Sequence, residues 1–70
     1  NSIMAKIQLN GKKITIRSKE TIYDLLKKLK LNNRKVAIEH NGVIIPKTSY
    51  KKKYLKSNDK LEVVHFIGGG

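Results

Sequence analysis

Ala5-Lys6-Ile7-Gln8-Leu9-Asn10-Gly11-Lys12-Lys13-Ile14-Thr15-Ile16-Arg17 is the stretch that decides the fold. Apolar and polar residues alternate from Ala5 to Leu9, the two-residue period of a half-buried strand. They alternate again from Lys13 to Arg17. Between the runs stands Asn10-Gly11, a dipeptide suited to a two-residue hairpin turn because both turn positions need positive φ. Ile7 and Leu9 then share a face with Ile14 and Ile16, while the lysines face water. Residues 5–17 are predicted to form a β-hairpin. Upstream, residues 1–3 precede Met4 and are set apart from the fold as a cloning remnant.

Downstream the period changes. Ile22, Leu25, Leu26 and Leu29 fall at i, i+3, i+4 and i+7, one stripe of a helix. Thr21 with Asp24 three residues on resembles a capping box, with Asp in place of the usual Glu. The Asp24 carboxylate sits in the first turn, and Lys27, Lys28 and Lys30 crowd the last, both favoured by the helix dipole. Asn32-Asn33 is read as the stop, giving a helix over residues 21–31.

Val36-Ala37-Ile38-Glu39 reads as a third strand, and Asn41-Gly42 as a second hairpin turn. Val43-Ile44-Ile45 is a short strand ended by Pro46, which removes a ladder donor and suits an edge. Residues 47–58 are polar and Lys-rich, with Tyr50, Tyr54 and Leu55 at helical spacing, and are read as a short helical turn or irregular crossover. Lys60-Leu61-Glu62-Val63-Val64-His65-Phe66 is the last strand. The order ββαββ-turn-β implies an α+β domain, one mixed sheet of about five strands packed on one helix. Its expected core is Ile7, Leu9, Ile14, Ile16, Ile22, Leu25, Leu26, Leu29, Val36, Ile38, Leu55, Leu61 and Val63.

Seventy residues allow one domain. It is expected to span residues 4–67, with 68–70 as a flexible tail. Without cysteine there is no disulfide framework and no thiolate metal site, and two histidines make an all-protein metal cage an unpromising reading. No apolar run approaches the ~20 residues that span a bilayer, so a cytoplasmic protein with no membrane partner is expected. Sixteen Lys and Arg against five Asp and Glu give a net charge of +11, which invites polyanions. Only two of the sixteen are Arg, at Arg17 and Arg34, and only four aromatics occur. Base readers and phosphate forks favour Arg, and base stacking needs rings. A basic RNA-binding module is therefore disfavoured against a solvated lysine-rich surface. Lys51 to Lys53, the one run of three consecutive lysines, reads first as solvated loop and second as contact for an acidic partner.

The chain ends on Ile67, Gly68, Gly69 and Gly70 directly after a strand. Glycine extends a strand poorly, since it loses much backbone entropy and packs nothing. Naked backbone does suit a narrow channel. The last four residues, extended, reach roughly 13–14 Å. That is enough to carry a terminal carboxylate from the folded body into another protein's active site. A carboxylate is a poor electrophile and must be activated, for example as an acyl-adenylate made with ATP. The chain has no Gly-rich phosphate loop between strand and helix and no Ser/His/Asp set. The chemistry is therefore expected to be done to this protein by others; it is not itself an enzyme and binds no cofactor.

Here the residues resemble a family. The element order and diglycine end are similar to ubiquitin-like β-grasp proteins. More closely, Asn10-Gly11-Lys12, Thr21-Ile22-Tyr23-Asp24-Leu25-Leu26 and Val64-His65-Phe66-Ile67-Gly68-Gly69-Gly70 resemble the thiamine-biosynthesis sulfur carriers of bacteria, over residues 4–70. The resemblance implies that an E1-like adenylyltransferase joins the Gly70 carboxylate to AMP. Sulfur relayed from a cysteine desulfurase then replaces AMP, leaving a thiocarboxylate from which thiazole synthase takes sulfur. Gly70 would carry the acyl group, Gly69 supply slim backbone beside it, and Gly68 lengthen the arm. A molybdopterin-type sulfur carrier or a ubiquitin-like modifier is the alternative within the fold.

On the last strand, Leu61 and Val63 are expected to face the helix, with His65 inward on the same parity. Val64 and Phe66 then face outward. With Ile67 they form an apolar patch beside the tail, read as the partner-binding surface. His40, beside the Asn41-Gly42 turn, is expected to be exposed.

Overall fold

The structure, a computed structural model, describes residues 3–66. Strands β1 (Met4–Leu9) and β2 (Lys12–Arg17) form the first hairpin, with Ile7 opposite Ile14 and Ala5 opposite Ile16. Asn10 and Gly11 both take positive φ, 48° and 82°, as a primed turn requires. Ser18 N–H donates to the Ile3 carbonyl at 2.9 Å, so residue 3, set aside on sequence, prolongs this ladder by one bond. Residues 1–2 of that segment, and the tail at 68–70, lie outside the described residues.

Helix α1 (Ile22–Lys28) follows. The capping box is formed: Asp24 N–H donates to Thr21 Oγ1 at 3.1 Å, and Thr21 N–H donates to Asp24 Oδ2 at 3.0 Å. Those Thr21 bonds hold the exposed Asp24 carboxyl below its ordinary range. The helix stops earlier than the stripe predicts. Lys30 takes φ 59°, its N–H donates to the Lys27 carbonyl, and Leu31 N–H donates to the Leu26 carbonyl at 2.9 Å. This is a Schellman ending with lysine where glycine is usual. Leu29 is consequently left 38% exposed and out of the core, and Leu31, brought back by the reversal, packs on the core in its place.

Strands β3 (Val36–His40) and β4 (Val43–Ile45) make the second hairpin around Asn41-Gly42. A 3-10 turn over Lys47–Ser49 begins the crossover, and β5 (Lys60–His65) closes the sheet. The strand order is β2-β1-β5-β3-β4. The last strand therefore lies in the middle, parallel to β1 and antiparallel to β3. Both hairpins are antiparallel, so the sheet is mixed, as predicted, and β4 is an edge.

Helix α1 and the crossover cover one face of the sheet. The core comprises Ala5, Ile7, Ile16, Ile22, Leu25, Leu26, Val36, Ile38, Ile45, Tyr50, Leu55, Leu61 and Val63. Leu9 and Ile14, predicted as core, are half-buried at its margin. Ala5, Ile45 and Tyr50 join it unpredicted. Tyr50 is 1% exposed, and burial pushes its phenol above the ordinary range. Its N–H donates to the Lys47 carbonyl, and its carbonyl receives Tyr23 N–H, so the crossover is tied to the helix N-terminus. Among the described residues no helix is long and apolar enough to cross a membrane.

Candidate functional site

The site is the end of β5. Two connections hold that strand. On one side β3 pairs with it from His40 opposite Leu61 to Val36 opposite His65. On the other, β1 contributes only Gln8 opposite Lys60 and Leu9 opposite Leu61 before turning away. Asn10 carries the pairing two residues further by itself. Its N–H donates to the Leu61 carbonyl at 2.9 Å. Val63 N–H donates to its Oδ1 at 2.7 Å, and its Nδ2 donates to the Val63 carbonyl at 3.2 Å. A side-chain amide thus imitates one more residue of parallel strand. Sequence reading found the Asn10 turn and missed this second role, because turn propensity says nothing of where the side chain lands.

Alternation then sets the faces of β5. Leu61 and Val63 are buried under the helix, as predicted. Glu62 and Val64 face the open side, where Glu62 lies opposite Glu39 and Val64 opposite Ala37. Val64 is 59% exposed and Phe66, one residue past the strand, 50%. Ile44, which pairs with Glu39 on the far side, is 73% exposed. The predicted outward placement of Val64 and Phe66 is therefore what the structure has, and Ile44 stands on the same face. Ile67, Gly68, Gly69 and Gly70 lie outside the described residues.

Both histidine expectations are corrected. His65 is exposed, although its parity is that of Leu61 and Val63. After Val63 the β1 side of β5 has no further strand to pack beside His65. His40 is buried at 7% exposure on the helix-side parity of Val36 and Ile38. Its Nε2 lies 2.8 Å from Asp59 Oδ2, and Asp59 also receives Lys56 N–H at 2.9 Å and Asn41 Nδ2 at 3.1 Å. Burial works to raise the Asp59 carboxyl, but the bonds from His40, Lys56 and Asn41 outweigh it and hold it below the ordinary range. Asn41 Oδ1 accepts Lys60 N–H at 2.7 Å, which completes a polar knot joining the β3–β4 turn to the start of β5. The partner responsible, Asp59, sits 19 residues from His40, beyond any local sequence signal.

Lys51, Lys52 and Lys53 are exposed, and Lys51 Nζ stands 4.8 Å from the centroid of the Tyr23 ring. Among the described residues no three His, Asp or Glu side chains gather as a metal site would require. What the arrangement offers chemically is a central strand anchored on both sides through Val63. It ends in the exposed apolar side chains of Val64 and Phe66.

These features define a small α+β domain of the ubiquitin-like β-grasp class. The sequence profile of the ThiS family matches residues 5–70. The sulfur carrier protein ThiS of Bacillus subtilis (strain 168) is 43% identical over 65 residues, covering 91% of this chain and 98% of that one. A 65-residue stretch of the thiazole synthase of Paramagnetospirillum magneticum is also 43% identical. It covers 93% of this chain but 20% of that protein, so the chain spans about one fifth of the length of this larger relative. The crystal structure of the thiamine biosynthesis protein ThiS from Geobacter metallireducens superposes with a TM-score of 0.81 at 28% identity, covering 93% of this chain and 99% of that one. The chain belongs to the ThiS family, the sulfur carriers of thiamine biosynthesis.

Proposed function

We propose that this protein carries sulfur on its own C-terminal carbonyl for construction of the thiamine thiazole. An E1-like adenylyltransferase uses ATP to convert the Gly70 carboxylate to an acyl-adenylate, releasing pyrophosphate. Sulfur drawn as a persulfide through a cysteine desulfurase relay, its S–S bond reduced by a thiol to release sulfide, then attacks that carbonyl. The C–S bond forms, the C–O bond to AMP breaks, and AMP leaves. The thiocarboxylate passes its sulfur to thiazole synthase. Gly68 and Gly69 let the backbone enter each active site, while Val64, Phe66 and Ile67 dock the body against the partner.

The observation that carries this reading is the family match running through the terminal glycines, together with a strand that presents exposed Val64 and Phe66 immediately before them. Likeness to a segment of a larger thiazole synthase supports that enzyme as the partner that consumes the sulfur. The experiment is intact mass spectrometry after incubation with ATP, the adenylating enzyme of the same organism and a sulfur source. The full chain is expected to gain the mass of one oxygen-for-sulfur exchange, and a chain lacking Gly69 and Gly70 to gain nothing. Equal gain by both would end the proposal.

A further inference from the structure

Lys47 stands where the sheet would continue and does not. Ile38 lies opposite Ile45, so the same register places Val36 opposite Lys47. The chain departs from it at Pro46 and enters the 3-10 turn over Lys47–Ser49, so no backbone N–H of Lys47 reaches Val36. The Lys47 side chain comes back in place of the missing strand. Its Nζ donates to the Val36 carbonyl at 2.8 Å and to the Asn33 carbonyl at 3.0 Å. The same ammonium stands 5.3 Å from the centroid of the Phe66 ring. Between those two carbonyl residues lies Lys35, whose carbonyl receives Phe66 N–H at 2.9 Å. One cation therefore ties together the loop before β3, the exit from β4 and the end of β5.

That tie matters because of what is missing opposite. Past Val63 the β1 side offers no strand, so the hold on Phe66 comes from the β3 side, and there the loop is kept in place by Lys47. We propose that Lys47 is the positioning residue of the tail: it fixes the place of Phe66, the residue that Ile67 and the three glycines follow in the sequence. The proposal rests on the sulfur-carrier reading above. With the ammonium gone, the end of β5 joins the length of chain that docking must order, and each added residue costs backbone entropy on binding. The reacting groups are untouched, so KM for the carrier rises while kcat does not fall.

The test uses the full chain and the adenylating enzyme of the same organism, read by ATP–pyrophosphate exchange. Lys47→Met keeps the apolar stem and removes the donor. It is expected to raise KM roughly tenfold with kcat within about twofold. Lys47→Arg keeps charge and donors and is expected to restore KM to within about threefold. In the free protein, the nitrogen-15 order parameter of the Phe66 amide is expected to fall from about 0.85 to below about 0.6 in Lys47→Met and to hold in Lys47→Arg. An unchanged order parameter, or an unchanged KM, in Lys47→Met overturns the proposal. Should Lys47→Met not fold, Lys47→Gln is judged by the same two readings. A wild-type chain that is not adenylated at all overturns the carrier reading instead, and the Phe66 relaxation then decides by itself whether Lys47 anchors the strand end.

Discussion

Asp59 shows how much of this small fold hangs on single polar side chains. It is 3% exposed and accepts from His40, Lys56 and Asn41, which between them belong to three different segments. Removing the acceptor strands those donors, so Asp59→Ala is expected to lose about 2–4 kcal/mol at neutral pH, measured by urea unfolding. The sign of the pH dependence follows from the lowered carboxyl. As pH falls, the unfolded chain takes up this proton before the folded one does. The stabilisation from Asp59 is therefore complete above the unfolded carboxylate value, 3.8, and drains away as pH drops through the lower folded value. Urea midpoints taken from about pH 6 to about pH 2.5 are expected to show a limb that flattens in Asp59→Ala. Of the two histidines, neither setting was legible from neighbours in the chain. His40 is defined by a partner in another strand connection, and His65 by a neighbour strand that ends too soon.

At the scale of elements, two chain reversals are open to test. The helix ends on Lys30 at φ 59°, a left-handed conformation that costs a residue with a Cβ roughly 1–2 kcal/mol. Lys30→Gly is expected to raise stability by about 1 kcal/mol, visible as a higher urea midpoint without change of slope. The first hairpin turn does more than reverse the chain, since Asn10 extends β1 toward Val63 through its side chain. Asn10→Ala is expected to cost about 1–3 kcal/mol. Hydrogen exchange distinguishes this from a general loss: the Val63 amide, which donates to Asn10, is expected to lose more protection than the β3–β4 hairpin. Both hairpins and the capped helix start could be read directly, because turn residues, alternation and caps are local. The helix stop could not. An apolar stripe reaching Leu29 promised another turn, while the Schellman reversal that buries Leu31 depends on the sheet being there to receive it.

For the whole molecule, the placing of β5 between β1 and β3 is what makes a handle out of a short chain. The strand that leads to the glycines is the central one of five, and its outward residues share the open face with Ile44. If that face docks the adenylating enzyme, Val64→Ala and Phe66→Ala are each expected to raise KM for the carrier several-fold, with the urea midpoint unchanged within error because both side chains are already exposed. The net charge of +11 adds a second expectation. Association with an acidic enzyme surface should slow as salt rises, whereas salt-tolerant association would assign docking to the apolar face alone.

Sequence by itself determined the elements, their order, most of the core and the outward aspect of Val64 and Phe66. All of these follow from period, caps and turn chemistry acting within a few residues. Tertiary structure alone decided that β5 enters the centre of the sheet, that His40 is buried on Asp59, and that Asn10 and Lys47 flank the base of the tail. Each of those depends on groups far apart in the chain, and a hydrogen bond between distant groups leaves no periodic trace in the order of residues.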